Sequence, residues 1–506
     1  MNHKGDFLYT AYVDKTGKIQ YTYHNSSTNK TEKKFNYFKP KLGVVVDYET
    51  DYKSIYGDYL QIKEFNNIFE YRSFLKQCPE AHGNIQPIYQ FLSEYFSEQK
   101  VPDKMDAWFV DIEVYTQDNF PKADKALYEI NAITLYSIAE EIYYTFSLKE
   151  YESKDRRGKY LECIDEQHLL EMFIRLVEQK NISILSGHNA IQFDIPYIVK
   201  RLKYYEFKSI GIRDWLEENI GYSGYIQSIQ ILDYMELYKL FGQALEKYSL
   251  EFICQAELQE GKIKDPRPLW KIYDEDFEKF IDYNIHDVRL MVKLDKKLEL
   301  IKQALDITSV SKVLPGDLLA PVKGWDGYLL SYLNKKNIMI PPEKRGIKDI
   351  LLGGYTGYSD EKYSNNPTKF IMICDITSSY PHQIMQVNIS PETLIPEKDI
   401  PFELLEIRKR LGYSVGVERQ GIVRFVEKLS EFDLDNPILQ ELNELLKEYN
   451  YTMSASGQFY TKEKIGIFPS VVKEMFVIRK QAKDNVGILE KYESKIKKLN
   501  KKVKNA

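Results

Sequence analysis

The 506 residues carry 43% apolar and 29% charged side chains and a formal net charge of −5, the balance of a folded, water-facing protein rather than a disordered one. No window reaches the roughly 18 consecutive apolar residues of a membrane span, and the opening Met-Asn-His-Lys-Gly-Asp lacks the apolar core of a leader peptide. The four cysteines, Cys78, Cys163, Cys254 and Cys374, form no C-x-x-C pair, which argues against a structural zinc site and a disulfide scaffold and for a reducing compartment. At roughly 150 residues per domain the length predicts three or four domains.

Residues 7–62 read as short strands with turns, residues 26–34 (SSTNKTEKK) as a polar hairpin or loop, and helical stretches follow to about residue 100. KVPDKMD, ending at Asp106, marks a boundary. From Ala107 to Tyr115 the chain is AWFVDIEVY, a strand whose period of two puts Asp111 and Glu113 on one face. Two acids among Phe109, Val110, Ile112 and Val114 are costly unless a cation neutralises them. Leu169, Leu170, Phe173, Ile174 and Val177 predict a helix over 165–180. NISILSG then reads as a buried strand and HNAIQFD as a loop delivering Asp194 to a loop-to-helix junction, a position that also suits a plain helix cap. DIPYIVKRLKYY opens a helix with Pro196 near its first turn. Residues 274–305 predict one long amphipathic helix, with Tyr283 and Asp287 four apart on one face. The strand–helix alternation argues for an α/β domain on a mixed sheet. Pro- and Gly-rich residues 341–368 lead to a second apolar strand, KFIMICDI, which ends at Asp375. From Lys473 to Ala506 eleven Lys or Arg face four Asp or Glu, which fits either a solvated helix face or a phosphate-contacting one.

The order D-x-E, N-x-x-x-F-D, Y-x-x-x-D resembles the DEDD exonuclease superfamily in its tyrosine-bearing branch. The histidine-bearing branch needs His five residues before the last Asp; Asp282 stands there, and His286 is given a structural or surface role. The resemblance implies Asp111, Glu113, Asp194 and Asp287 as ligands of two Mg²⁺ or Mn²⁺ ions, with Tyr283 holding the attacking water. Carboxylates suit such hard cations, and a two-metal phosphodiester cleavage needs their charge.

KFIMICDITSSYPHQIMQVNISPETL resembles the first palm motif of family B DNA polymerases, in the tailed-bacteriophage branch. It implies Asp375, with the backbone of Ile376, as a metal ligand of a second site, Ser378 and Ser379 along a bound triphosphate, and Tyr380 under the incoming sugar. Ser379 and His382 depart from the Leu and Ser usual in the family. GIFPSVVKEMFVIRKQAKDN resembles the start of the fingers helices, which assigns Arg479 and Lys483 to the triphosphate. ILDYMELYKLF and, faintly, LLGGYTG at 351–357 add to the likeness.

The resemblance implies a mixed α/β (α+β) architecture: an N-terminal domain (1–104), a ribonuclease H-like 3′→5′ exonuclease domain (105–335), a linker (336–369), part of a palm (370–465) and part of the fingers (466–506). The second palm carboxylate motif, Tyr-Gly-Asp-Thr-Asp-Ser, has no counterpart; Tyr56-Gly57-Asp58 and Asp433-Leu434-Asp435 are poor substitutes. The expectation is the N-terminal subunit or fragment of a replicative polymerase with proofreading. A second polypeptide is expected to supply the remaining fingers, palm and thumb. The alternative is a free-standing 3′→5′ DNA exonuclease whose relict palm binds DNA. Expected partners are primer-template DNA, single-stranded 3′ ends, dNTPs and replisome proteins, in the cytoplasm of a phage-infected bacterium and away from membranes.

Overall fold

The computed structural model describes residues 3–117, 121–153, 155–220, 226–342, 378–412 and 436–484. Two compact units divide the chain, residues 1–346 and 347–506. Asp375, Ile376, the 351–357 stretch, residues 433–435, most of 341–368 and the chain from 485 onward lie outside the described residues.

The first unit begins with β1 (Phe7–Val13), β2 (Ile19–Asn25) and β3 (Lys30–Asn36), an antiparallel three-stranded sheet. The polar stretch near residue 26 is the β2–β3 turn: Asn25 Oδ1 accepts the backbone N–H of Ser27 and Thr28, and Asn29 takes the left-handed conformation that asparagine tolerates. A second sheet holds β4 (Lys41–Val46), β5 (Tyr52–Ser54) and β6 (Tyr59–Glu64), joined at its edge by residues 338–339. Tyr56-Gly57-Asp58 is the β5–β6 turn, with Gly57 at φ 100 and Asp58 bonded to Ser54. It is therefore a turn and no carboxylate site.

The central sheet has six strands: β7 (Ala107–Val114), β8 (Ile130–Ser137), β9 (Ile142–Ser147), β10 (Gly158–Glu162), β11 (Ile184–Gly187) and β12 (Gln230–Asp233). Their order is β10-β9-β8-β7-β11-β12. β8 pairs antiparallel with both β7 and β9, β10 pairs parallel with β9, and β7, β11 and β12 are mutually parallel. This is the mixed α/β sheet that the strand–helix alternation predicts, and its ribonuclease H-like character is what the motif resemblance implies.

Both faces of the sheet are covered. Trp108, Val110 and Ile112 face α1 (Glu166–Lys180) and α2 (Asp194–Tyr205), with Leu169, Leu170, Phe173, Ile198 and Leu202 in the same core. Ala107 and Phe109 belong to the opposite core with Ala132 and Tyr136, covered by α5 (Phe277–Leu298) through Phe280, Ile281, Val288 and Met291. Between α2 and α5 come α3 (Tyr234–Phe241) and α4 (Leu250–Leu258). Each large apolar side chain removed from water contributes about 1.5–3 kcal/mol, which holds β7 rigidly from both sides. Asp165 and Asp276 cap α1 and α5 by accepting the N–H of His168 and Lys279.

The single helix expected over 274–305 is broken twice, since residues 274–275 close a short helix over Leu269–Glu275 that ends at Asp276. α5 ends at Leu298, Glu299 adopts φ 52, and α6 (Leu300–Ser311) follows. The apolar periodicity runs through the break at Glu299 because both helices pack into one core, so the left-handed cap is invisible to a period count.

In the second unit, α7 (Ser379–Val387) begins within the DITSSYP stretch. A helix over 467–484 carries the fingers-like sequence, and the His382 and Phe476 rings lie 5.0 Å apart. Among the described residues no helix is long and apolar enough to cross a membrane.

Candidate functional site

Strand alternation does locally what the sequence predicts. Asp111 and Glu113 share the β7 face of Phe109, the face beneath α5. Asp287 sits on α5, a turn after Tyr283, and is 3% exposed. One carboxylate oxygen from each of Asp111, Glu113 and Asp287 lies within 4.8 Å of the others.

Asp194 arrives from the opposite side of the sheet, on the first turn of α2. It does not cap that helix. Its Oδ1 accepts the backbone N–H of Ile112 at 3.2 Å, between the two acids of β7. Asp194 therefore borders the group while the three other acids make it. His286 faces away, with Nε2 3.0 Å from the carbonyl oxygen of Gly261.

Two residues in the pocket carry no motif. Asn284 donates through Nδ2 to Asp111 Oδ2 at 2.8 Å. Lys262, from the segment between α4 and α5, places Nζ 2.5 Å from Asp287 Oδ2. Asn284 lies three residues before Asp287 and is readable by helical spacing. Lys262 sits in an aperiodic stretch, and nothing local marks it.

The electrostatics follow from burial and crowding. Burial, then the charges of Glu113, Asp194 and Asp287, holds the Asp111 carboxyl well above the ordinary carboxylate range. Glu113 is pushed up to about 8, by burial first and then by Asp287. Burial raises Asp194 to about 7 against the opposing Ile112 hydrogen bond. Burial also raises the Tyr283 phenol, with Asp287 adding to it. Burial alone lowers the Lys262 ammonium, but Asp287, Asp111 and Glu113 together hold it above its usual value. Burial is the first cause of each carboxyl shift, and the Lys262 ammonium offsets only part of the crowded negative charge.

Oxygen donors, half-buried to buried and mutually repelling, suit a hard divalent cation. Asp287 Oδ1 is buried without a hydrogen-bond partner, as is Asn284 Oδ1, and an orphaned buried acceptor is costly unless a cation or donor satisfies it. The three-acid group could hold a metal ion.

The second motif is described only from Ser378 onward. There Arg479 Nη1 donates to Ser378 Oγ at 3.3 Å, which joins two of the residues assigned to a triphosphate. Tyr380 is 75% exposed, and Arg479 and Lys483 are exposed on the same helix. Ser379 starts α7, whose preceding residue, Ser378, has φ 57.

Residues 82–251 match the family described as DNA polymerase family B, exonuclease domain. The chain is 28% identical to a DNA-directed DNA polymerase of Enterobacteria phage T4, over 98% of this chain and 54% of the relative. It is 26% identical to a DNA-directed DNA polymerase of Escherichia phage RB69, over 95% of this chain and 53% of the relative. A DNA polymerase of Pyrococcus glycovorans is 24% identical over 60% of this chain. The chain spans about half the length of the phage relatives that it matches. Strands β7–β12, with Asp111, Glu113 and Asp194, lie within the matched segment and Asp287 beyond it, so residues 82–251 are similar to the exonuclease domain of family B DNA polymerases.

Proposed function

We propose that this chain is part of a replicative family B DNA polymerase and carries its 3′→5′ proofreading exonuclease together with the first palm motif. The observation that carries the reading is the convergence of half-buried Asp111 and Glu113 with buried Asp287 and its orphaned carboxylate oxygen. Asp111, Glu113, Asp194 and Asp287 are the residues that would hold two Mg²⁺ or Mn²⁺ ions. When bound, such ions supply Lewis-acid stabilisation of phosphate charge and a nucleophile at neutral pH. Tyr283, one turn from Asp287, orients the attacking water through its hydroxyl. Lys262 keeps Asp287 in place while the pocket is empty and adds positive charge near the scissile phosphate. A mismatched primer end supplies the substrate, since an unpaired base costs less to unstack.

The domain limits follow from the same reading: exonuclease over 105–335, palm from about 370 and fingers from about 466. In the palm, Asp375 and the Ile376 backbone are assigned a metal. Ser378, Ser379, Arg479 and Lys483 are assigned the dNTP triphosphate, and Tyr380 the sugar. The Arg479–Ser378 contact supports the triphosphate assignment. Primer-template DNA, dNTPs and replisome proteins are the partners, in the cytoplasm of an infected bacterium. The phage relatives hold the matched segment within chains about twice its length, which gives no support to a second polypeptide as the source of the second palm carboxylate.

The test is degradation of a single-stranded 3′ end by Asp111→Ala/Glu113→Ala. The expected result is a loss of about 10³-fold or more with DNA binding retained. Unchanged degradation rejects the site.

A further inference from the structure

Asp233 ends β12 and is 1% exposed, yet it belongs to none of the three exonuclease motifs. Its carboxylate accepts four backbone N–H groups. Oδ1 takes Met235 at 3.0 Å and Glu236 at 3.3 Å, which caps α3. The same Oδ1 takes Asn189 at 3.2 Å, and Oδ2 takes Ile191 at 3.0 Å. The last two belong to the turn between β11 and α2, which ends at Asp194.

That turn has little freedom of its own. Asn189 has φ 65, and a side chain at Gly187 would meet Val110 O at 2.6 Å and Ala190 Cβ at 3.0 Å. Asp194, at its far end, is bonded to Ile112 between Asp111 and Glu113. A continuous series therefore runs from Asp233 through Ile191 to Asp194 and then to the β7 backbone. A plain helix cap needs one acceptor oxygen. Here the second oxygen is given wholly to the turn.

We infer that Asp233 is a positioning residue of the exonuclease site, whose second carboxylate oxygen latches the β11–α2 turn and thereby sets Asp194 against β7. The inference rests on the exonuclease reading above. Groups that orient metal-binding residues without touching the cation usually change affinity or rate by about ten- to a hundredfold.

Asp233→Asn keeps one oxygen for the α3 cap and turns an NH₂ toward the Ile191 N–H, donor against donor. Asp233→Ser keeps a capping hydroxyl too short to serve both partners. With the full chain, both variants are expected to lower kcat on a single-stranded DNA 3′ end by about tenfold or more with KM unchanged. They are also expected to weaken Mn²⁺ binding, measured calorimetrically without DNA. In an Asp194→Ala background, Asp233→Asn should leave the Mn²⁺ constant where Asp194→Ala puts it, because the effect travels through Asp194. A kcat within about twofold of wild type in both variants overturns the inference. So does a weakening of Mn²⁺ binding that is as large without Asp194. A wild-type chain that neither degrades DNA nor takes up Mn²⁺ rejects the exonuclease reading instead.

Discussion

Under the proposed function the acid pocket of the first unit and the triphosphate motif of the second would meet similar chemistry, phosphate beside divalent cations, but they are built differently. The first draws Asp111 and Glu113 from β7, Asp287 from α5 and Asp194 from the head of α2, all braced by two buried cores. The second, in its described part, presents Ser378, Tyr380, Arg479 and Lys483 on exposed helix ends and faces. Crowded carboxylates repel one another, so packing must hold them together before any cation arrives. Cationic and hydroxyl groups that meet a triphosphate gain from remaining in water until the ligand brings its charge. The first pocket is held together by packing, while Tyr380, Arg479 and Lys483 of the second stand exposed.

The Asp111→Ala/Glu113→Ala variant tests this contrast most severely, since it should empty one pocket and leave dNTP binding unchanged. Lys262→Met comes next. It removes the cation at Asp287, and the metal-free chain should lose about 1–2 kcal/mol, below the full cost of breaking a buried pair because Lys262 is partly exposed. Mn²⁺ affinity should rise at the same time, because the ion no longer competes with an ammonium. A chain that is destabilised without tighter Mn²⁺ binding would separate the lysine from the metal site.

The pH dependence of the metal-free chain sharpens the comparison further. Asp111, Glu113 and Asp194 have raised folded values, so between roughly pH 4 and 8 the folded state holds more protons than the unfolded one. Stability contributed by these protons is present at the low end and is lost as pH rises. In chelator the thermal midpoint should fall between about pH 5 and pH 8. With Mn²⁺ present the fall should shrink or reverse. A midpoint in chelator that rises across the same range would show that the three acids are not crowded in solution. The smallest effect belongs to Arg479→Ala, which should weaken dNTP binding by about tenfold, the scale of one charge-assisted contact, and leave 3′-end degradation intact.

Much of the pocket was legible in advance because it is written in local periods. Asp111 and Glu113 two apart on a strand, and Tyr283 and Asp287 four apart on a helix, share faces by backbone geometry alone. The helix break at Glu299 was not legible, since a left-handed cap leaves the apolar period untouched. Lys262 and Asp233 escaped for a different reason. Their roles lie in contacts to Asp287 and to the Asn189–Ile191 backbone, 25 and 42 or more residues away in sequence.

The sequence by itself determined the elements, the faces on which the acids stand and the likeness to polymerase motifs, because these depend on near neighbours and fixed backbone repeats. Only the tertiary structure decided that three acids converge within 4.8 Å, that Asp194 leans on the β7 backbone rather than capping its helix, and that the Lys262 ammonium lies against Asp287. Those facts depend on how the cores on the two faces of one sheet bring distant segments to its end, and no local pattern records that distance.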